Sequence, residues 1–312
     1  MSIKTEKEMS AYLFAHFVGE EENPDCEQIY FSVSTDGIVW KTLNGGKPVL
    51  TSEVGEKGVR DPYVLRGENG KFYIVATDLS IHHRHGDKDM WDKCQRSGSK
   101  NIVVWESDNL VDWSEARLTA VAKDNAGCAW APEAVYDFEK EAYMVFWASK
   151  TADDDYKVQR MYRSYTKDFK VFSNPEIFID GGSISNIDTT VTSYDGIYYR
   201  FTKNESKSSV NMMKSASLDG PWTDVHTYTL GDMTGYEGPT VYKMNGEKKW
   251  CLLLDYYSKG QGYKPFFTDD ITKGTFTPAK DFDFDAKYRH GTVMPITKAE
   301  YTRLVDKYNS EI

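Results

Sequence analysis

Strongly apolar, aromatic-rich runs recur along the chain at residues 11–17, 71–77, 142–148, 197–202 and 250–256. Each is short enough and rich enough in aromatic and β-branched residues to be a buried strand. A second pattern follows these runs: a polar turn carrying Asp, then an aromatic residue. It is seen at Asp36 before Trp40, Asp108 before Trp113, Asp168 before Phe172, Asp219 before Trp222 and Asp270 before Phe276. Asp beside Gly or a polar residue bonds the local backbone and closes a hairpin. A third pattern precedes the apolar runs: Arg60-Asp61-Pro62, Trp130-Ala131-Pro132-Glu133, Ile187-Asp188-Thr189-Thr190, Glu237-Gly238-Pro239-Thr240 and Arg289-His290-Gly291-Thr292.

Together these patterns predict a repeated four-stranded antiparallel blade of about 50–70 residues, the unit of a β-propeller. Units one to four start at Asp61, Trp130, Asp188 and Glu237. A fifth starts at Arg289 and ends after one strand, so its other strands must come from residues 11–17, 28–34 and 39–42. The expectation is an all-β fold, a five-bladed β-propeller whose last blade is closed by the N-terminal strands, spanning residues 1–312 as a single domain. Residues 80–99, with His82, His83, His85 and Trp91, form a polar insertion in blade one that should overhang the face where the inner strands begin. Residues 298–308 read as a short helix.

Composition narrows the partners. A net charge of −10 and a sequence pI near 5.2 disfavour nucleic acid and anionic membrane surfaces. Aromatic residues make up 14% of the chain, with 8 Trp and 21 Tyr, a content that suits strands and sugar-binding clefts. No apolar run approaches the roughly 20 residues needed to span a bilayer. Nothing near the N-terminus reads as a signal peptide, so a cytoplasmic location is expected, or secretion if a leader has been trimmed. Cys26, Cys94, Cys128 and Cys251 lack metal-ligand spacing and read as free thiols. Oligomeric state is left open.

In a radial arrangement the five strand starts converge, bringing Asp61, Asp188 and Glu237 into one pocket in the same register of the repeat. Buried carboxylates are costly unless paired or used, and three in one cavity shift one another's ionisation. That arrangement suits inverting glycoside hydrolysis, in which an acid and a base stand roughly 6.5–9.5 Å apart on either side of a sugar and a water. Further candidates sit around it. Trp130 is a stacking wall for a sugar or a core aromatic. Glu133 bonds a sugar hydroxyl or anchors a basic neighbour. Arg200, in an apolar strand, pairs with Asp188, binds a hydroxyl or makes a structural ion pair. Asp78 ends a strand near the pocket. His290 points to the axis by register.

These motifs, in this order and over nearly the whole chain, resemble glycoside hydrolase family 43. The resemblance implies a five-bladed propeller that inverts at the anomeric centre without a required cofactor, acting on a carbohydrate substrate. It implies Asp61 as general base, Asp188 as the group that orients and tunes the acid, and Glu237 as general acid, protonated through Asp188 and burial. It also implies that His290 lies near a central water or a structural calcium ion. Thr189 departs from the family pattern, where Pro is common. The implied activity is exo-acting release of a terminal pentose, with α-L-arabinofuranosidase ahead of β-D-xylosidase and galactan-active relatives. A non-catalytic glycan-binding propeller and transfer to another sugar are the alternatives.

Overall fold

A computed structural model of the chain describes residues 8–19 and 23–308. In chain order its strands are β1 (Met9–Phe17), β2 (Tyr30–Ser34) and β3 (Val39–Thr42), then β4 (Val59–Arg66), β5 (Phe72–Asp78), β6 (Asn101–Ser107) and β7 (Arg117–Ala120). There follow β8 (Trp130–Asp137), β9 (Ala142–Ser149), β10 (Arg160–Thr166) and β11 (Glu176–Ile179), then β12 (Asn186–Tyr194), β13 (Ile197–Asn204), β14 (Ser209–Ser215) and β15 (Thr223–Asp224). The last are β16 (Glu237–Lys243), β17 (Trp250–Asp255), β18 (Tyr263–Thr268), β19 (Thr277–Pro278), β20 (Asp283–Phe284) and β21 (Arg289–Thr297). Four sheets are four-stranded meanders starting at β4, β8, β12 and β16, and the fifth, β20-β3-β2-β1-β21, joins the two ends of the chain. The inner strands β4, β8, β12, β16 and β21 touch their neighbours in that order and close the ring. The five-bladed propeller expected from the repeats is therefore the observed fold. One strand was not expected: β20 lies parallel to β3 and covers the outer edge of the terminal blade.

The recurrent polar turn has a common chemistry. Asp36 Oδ1 accepts the amides of Ile38 (2.8 Å) and Val39 (2.9 Å), and Asp168 Oδ1 accepts those of Lys170 (2.9 Å) and Val171 (3.1 Å). In blade one the acceptor is Asn109, one residue after the expected Asp108. A hydroxyl two residues earlier (Ser34, Ser107 or Thr166) accepts the third amide on and completes each turn.

The core is a set of five clusters between blades, since each sheet has two faces to bury. One joins the terminal blade to blade one through Leu13, Phe31, Ile74 and Trp105, and takes in Leu304 of helix Lys298–Tyr308. Another joins blades one and two through Tyr73, Val104 and Trp147.

The feature that shapes the functional end lies at the start of the inner strands. β4, β8, β12 and β16 each carry one extra residue against their partner there, between Arg60 and Tyr63, Trp130 and Glu133, Ile187 and Thr189, and Glu237 and Thr240. The residues at these bulges are left-handed: Asp61 (φ 51°), Ala131 (φ 48°), Asp188 (φ 51°) and Gly238 (φ 52°). A bulge bends a strand and re-aims its side chains, and bulges are common beside active sites.

Candidate active site

The bulges divide the strand-start residues into two tiers. Asp61, Ala131, Asp188, Gly238 and, in β21, His290 occupy the bulge position. Arg60, Trp130, Ile187, Glu237 and Arg289 precede it by one residue. Glu237 therefore stands one residue out of register with Asp61 and Asp188, which corrects the expectation of a single register. The three carboxylates nonetheless line one cavity of about 540 Å³, with Arg60, Trp130, Lys203, Arg289 and His290 in its wall.

His290 is the centre of the inner tier. Its Nδ1 is 3.3 Å from Asp61 Oδ1 and 3.9 Å from Asp188 Oδ2. The other oxygen of Asp61 accepts Thr77 Oγ1 at 2.8 Å, and that hydroxyl in turn accepts the Ala131 amide at 2.7 Å, tying blade one to blade two. Asp188 Oδ2 accepts the Gly238 amide at 3.1 Å. Gly238 is required by its positive φ and by space, because a Cβ there would lie 2.7 Å from His290 Cγ.

The outer tier is an ion-pair chain. Glu237 Oε2 is 2.8 Å from Lys203 Nζ, and Glu237 Oε1 is 3.3 Å from Arg289 Nη2. Arg289 Nε is 2.5 Å from Asp255 Oδ2, and Lys203 also meets Glu205 at 2.7 Å. Each oxygen of Glu237 thus meets a cation.

The inner tier is electrostatically polarised. Burial alone would lower the His290 imidazole, but the Asp188 and Asp61 carboxylates beside it prevail and push it up to about 10. Burial works on Asp61 in the opposite direction, yet His290, Arg60 and the Thr77 hydroxyl hold its carboxyl below the usual range. Asp188 is raised, because burial and the Glu237 charge together outweigh His290. Of the two carboxylates at His290, Asp61 is the nearer and the one held below its ordinary range.

Three other predicted residues lie outside the cavity lining. Glu133 is buried deeper on the axis, where burial raises its carboxyl well above the ordinary value, Thr190 bonds it, and Oε2 has no partner. Asp78 ties the β3–β4 connection down by accepting the Glu56 amide at 2.7 Å. Arg200 is paired with Val191 and its guanidinium lies 4.4 Å from the Trp222 ring, away from Asp188. The reason is strand alternation: Lys203, three residues on, faces the cavity from the position opposite Ile187, so Arg200 falls on the other face. Sequence reasoning missed Lys203 and Asp255. Both stand directly across from the residue preceding a bulge, and a charged residue ending an apolar second strand is the signal that marks them. It also missed Glu27, which holds Arg60 at 2.8 Å and accepts the amides of Ile81 and His82 at 2.9 and 3.0 Å, fixing the root of the insertion. The insertion does overhang the cavity, through helix Met90–Ser97, which contributes Trp91 and Gln95. Among the described residues no group of three or more His, Cys, Asp or Glu is placed to hold a metal ion.

The fold and the polarised cavity are those of a propeller glycosidase. Residues 7–302 match the family described as "Probable glycosyl hydrolase domain", related to glycoside hydrolase family 43, and the chain belongs to that family. It is similar to an alpha-L-arabinofuranosidase of Bifidobacterium longum subsp. longum, at 29% identity over 315 residues, covering 86% of this chain. The chain spans only 29% of that relative's length. Among solved structures, it superposes on a Bifidobacterium bifidum s17 protein described as a "putative exo-beta-1,3-galactanase" with a TM-score of 0.57 at 14% identity, covering 90% of this chain and 91% of that one. It superposes on the catalytic domain of a Coprinopsis cinerea GH62 alpha-L-arabinofuranosidase with a TM-score of 0.51 at 14% identity, covering 74% and 71%.

Proposed function

We propose that this glycosyl hydrolase releases terminal pentose residues, α-L-arabinofuranosyl groups first among them, from plant-type oligo- or polysaccharides with inversion at the anomeric carbon. The observation that carries the proposal is the single cavity in which an ionised, histidine-bound Asp61 shares a wall with Glu237. The arabinofuranosyl preference is supported by the curated relative's name.

In this reading Asp61 is the general base. His290 and Thr77 hold its carboxylate charged and oriented, so it can take a proton from the attacking water. Glu237 is the general acid that protonates the departing oxygen. To carry a proton it must give up one cation. The Arg289 contact is the longer of the two, and Arg289 keeps Asp255, so Oε1 is the oxygen that substrate binding frees. Asp188 acts as a positioning group: it binds the Gly238 amide next to Glu237 and shares His290 with Asp61. Trp130 offers an apolar wall for the sugar ring.

The test is a panel of arabino-, xylo- and galacto-oligosaccharides with product anomers resolved by NMR within the first turnovers. Release of β-L-arabinofuranose from α-linked substrate is the expected result. Product that keeps the substrate's anomeric configuration removes inversion. Release of xylose or galactose alone moves the specificity to the related exo-activities. Binding without cleavage of any member leaves a glycan-binding propeller.

A further inference from the structure

Of the eight tryptophans, all of them among the described residues, Trp91 is the most exposed, at 43% of its surface, and it lines the cavity that holds the three carboxylates. Its ring meets Trp130 edge to face, 6.2 Å between centroids at 83°. Two indole faces therefore form a corner: Trp130, nearly buried, deep in the wall, and Trp91 at the mouth. An exposed large aromatic held in place invites a ligand, since leaving that much apolar surface in water is unfavourable.

Trp91 is firmly held. Helix Met90–Ser97 buries Cys94 in the cluster that includes Leu79, Ile81 and Trp130. The Gly98 amide bonds the Gly127 carbonyl at 2.8 Å, and a Cβ on Gly127 would overlap the Gln95 carbonyl, so the helix and the lead-in to β8 touch through backbone. At its root Glu27 clamps residues 80–82, and Arg84 closes on Glu56 at 2.6 Å. The Arg60 guanidinium, 5.8 Å from the Trp91 ring centre, braces the same side.

We propose that Trp91 is a specificity-determining platform that stacks the sugar next to the one being released. The proposal rests on the glycosidase reading above. The terminal residue occupies the cavity beside Trp130 and the carboxylates, and the rest of the substrate leaves by the mouth, where Trp91 presents its face. The C–H face of a pyranose or furanose ring is apolar and packs on an indole, while its hydroxyls reach water and Gln95.

The experiment compares wild type, Trp91→Ala and Trp91→Phe on two substrates: methyl α-L-arabinofuranoside, which has no second sugar, and an α-linked arabino-oligosaccharide. Thermal melting checks that each variant folds. In Trp91→Ala the loss of kcat/KM on the oligosaccharide should exceed that on the methyl glycoside by about tenfold, the effect of one aromatic contact, and should fall on KM. Trp91→Phe should recover most of it. Equal loss on both substrates, or no loss on either, overturns the platform. A wild type that cleaves neither substrate sinks the arabinofuranosyl specificity separately. Calorimetric titration of the oligosaccharide then decides the platform alone: weaker binding by Trp91→Ala supports it, and equal binding, or none by wild type, overturns it.

Discussion

The axial channel has two ends built from the same five strands. At the strand starts the wall carries Asp61, Asp188, Glu237, Lys203, Arg289 and His290. At the other end a cavity of about 430 Å³ is lined mainly by small and apolar groups such as Thr190, Thr240, Val241, Thr292 and Met294. The charged residues in its lining are Arg66 and Glu68, and Arg66 is closed on Glu300 at 2.7 and 2.8 Å. Pairing is regular over the later part of β4, β8, β12 and β16, whereas all four bulge at their starts. The difference teaches that a propeller's inner strands do not make a site by converging. Convergence is equal at both ends, and chemistry gathers where the bulge turns consecutive residues toward the axis.

The sharpest test of that asymmetry is catalytic. Asp61→Asn and Glu237→Gln should each lower kcat by about 10²–10⁴, the usual weight of a general base or acid, measured where melting shows the variant still folded, since each also removes one partner of a buried ion pair. Retention of full rate by both variants would place the reacting groups elsewhere.

Next in size is His290→Leu. It leaves Asp61 and Asp188 facing each other with their shared cation gone, and breaking such a buried pair costs about 3–5 kcal/mol. The sign with pH is specific. His290 holds its proton more tightly in the folded protein, about 10 against 6.5 for the free group. Its stabilisation is thus complete below about pH 6.5 and is lost as pH rises through about 10. Urea titrations should show that alkaline loss in wild type, and should show the variant regaining stability as pH falls and its carboxylates take up protons. A variant as stable as wild type at pH 7 would mean that His290 is not the cation of the inner tier.

Smaller again is Gly238→Ala. The new methyl group meets the His290 ring and the backbone is left-handed there, so the cost should be about 1–3 kcal/mol. It should also displace His290 from Asp61, visible as a changed pH–rate profile. A purely thermal effect with an unaltered profile would separate the bulge from the electrostatics it is argued to position.

Most of the ring was legible from sequence because propeller physics repeats itself. Each blade has an apolar second strand, then a polar turn with an aromatic residue shortly after it, and these recur in order; only Trp40 lies within the fourth strand itself, and Trp113, Phe172, Trp222 and Phe276 stand just ahead of it. The tiers were less so. Asp61, Asp188 and Glu237 look equivalent as strand-start carboxylates, but Pro62, Pro132 and Pro239 hold the same place after the bulge, and counting back from them puts Gly238 beside Asp61. That offset was available and is what sends Glu237 to the outer tier. Lys203 and Asp255 were harder. Their role comes from cross-strand register at a bulge, and a bulge adds a residue that simple alternation does not count.

The smallest effect belongs to Arg200, which carries a charge in the half of blade three away from the site. Burial lowers its guanidinium to about 10, its Nε has no partner, and its neighbours are the rings of Trp222 (4.4 Å) and Phe178 (5.3 Å) and the Met213 thioether. A cation over an aromatic face is worth about 0.5–2 kcal/mol, and desolvating a charged group without a carboxylate offsets much of that. Met at this position would fill the same slot with sulfur–aromatic contacts in place of the cation. Arg200→Met should therefore change stability by about 1 kcal/mol or less and leave kcat/KM at the wild-type value. Side-by-side melting and kinetics check both. A drop in kcat of the size seen for Asp61→Asn would show that the lower half of blade three reaches the carboxylates after all, and the contrast between the two ends of the channel would lose its footing.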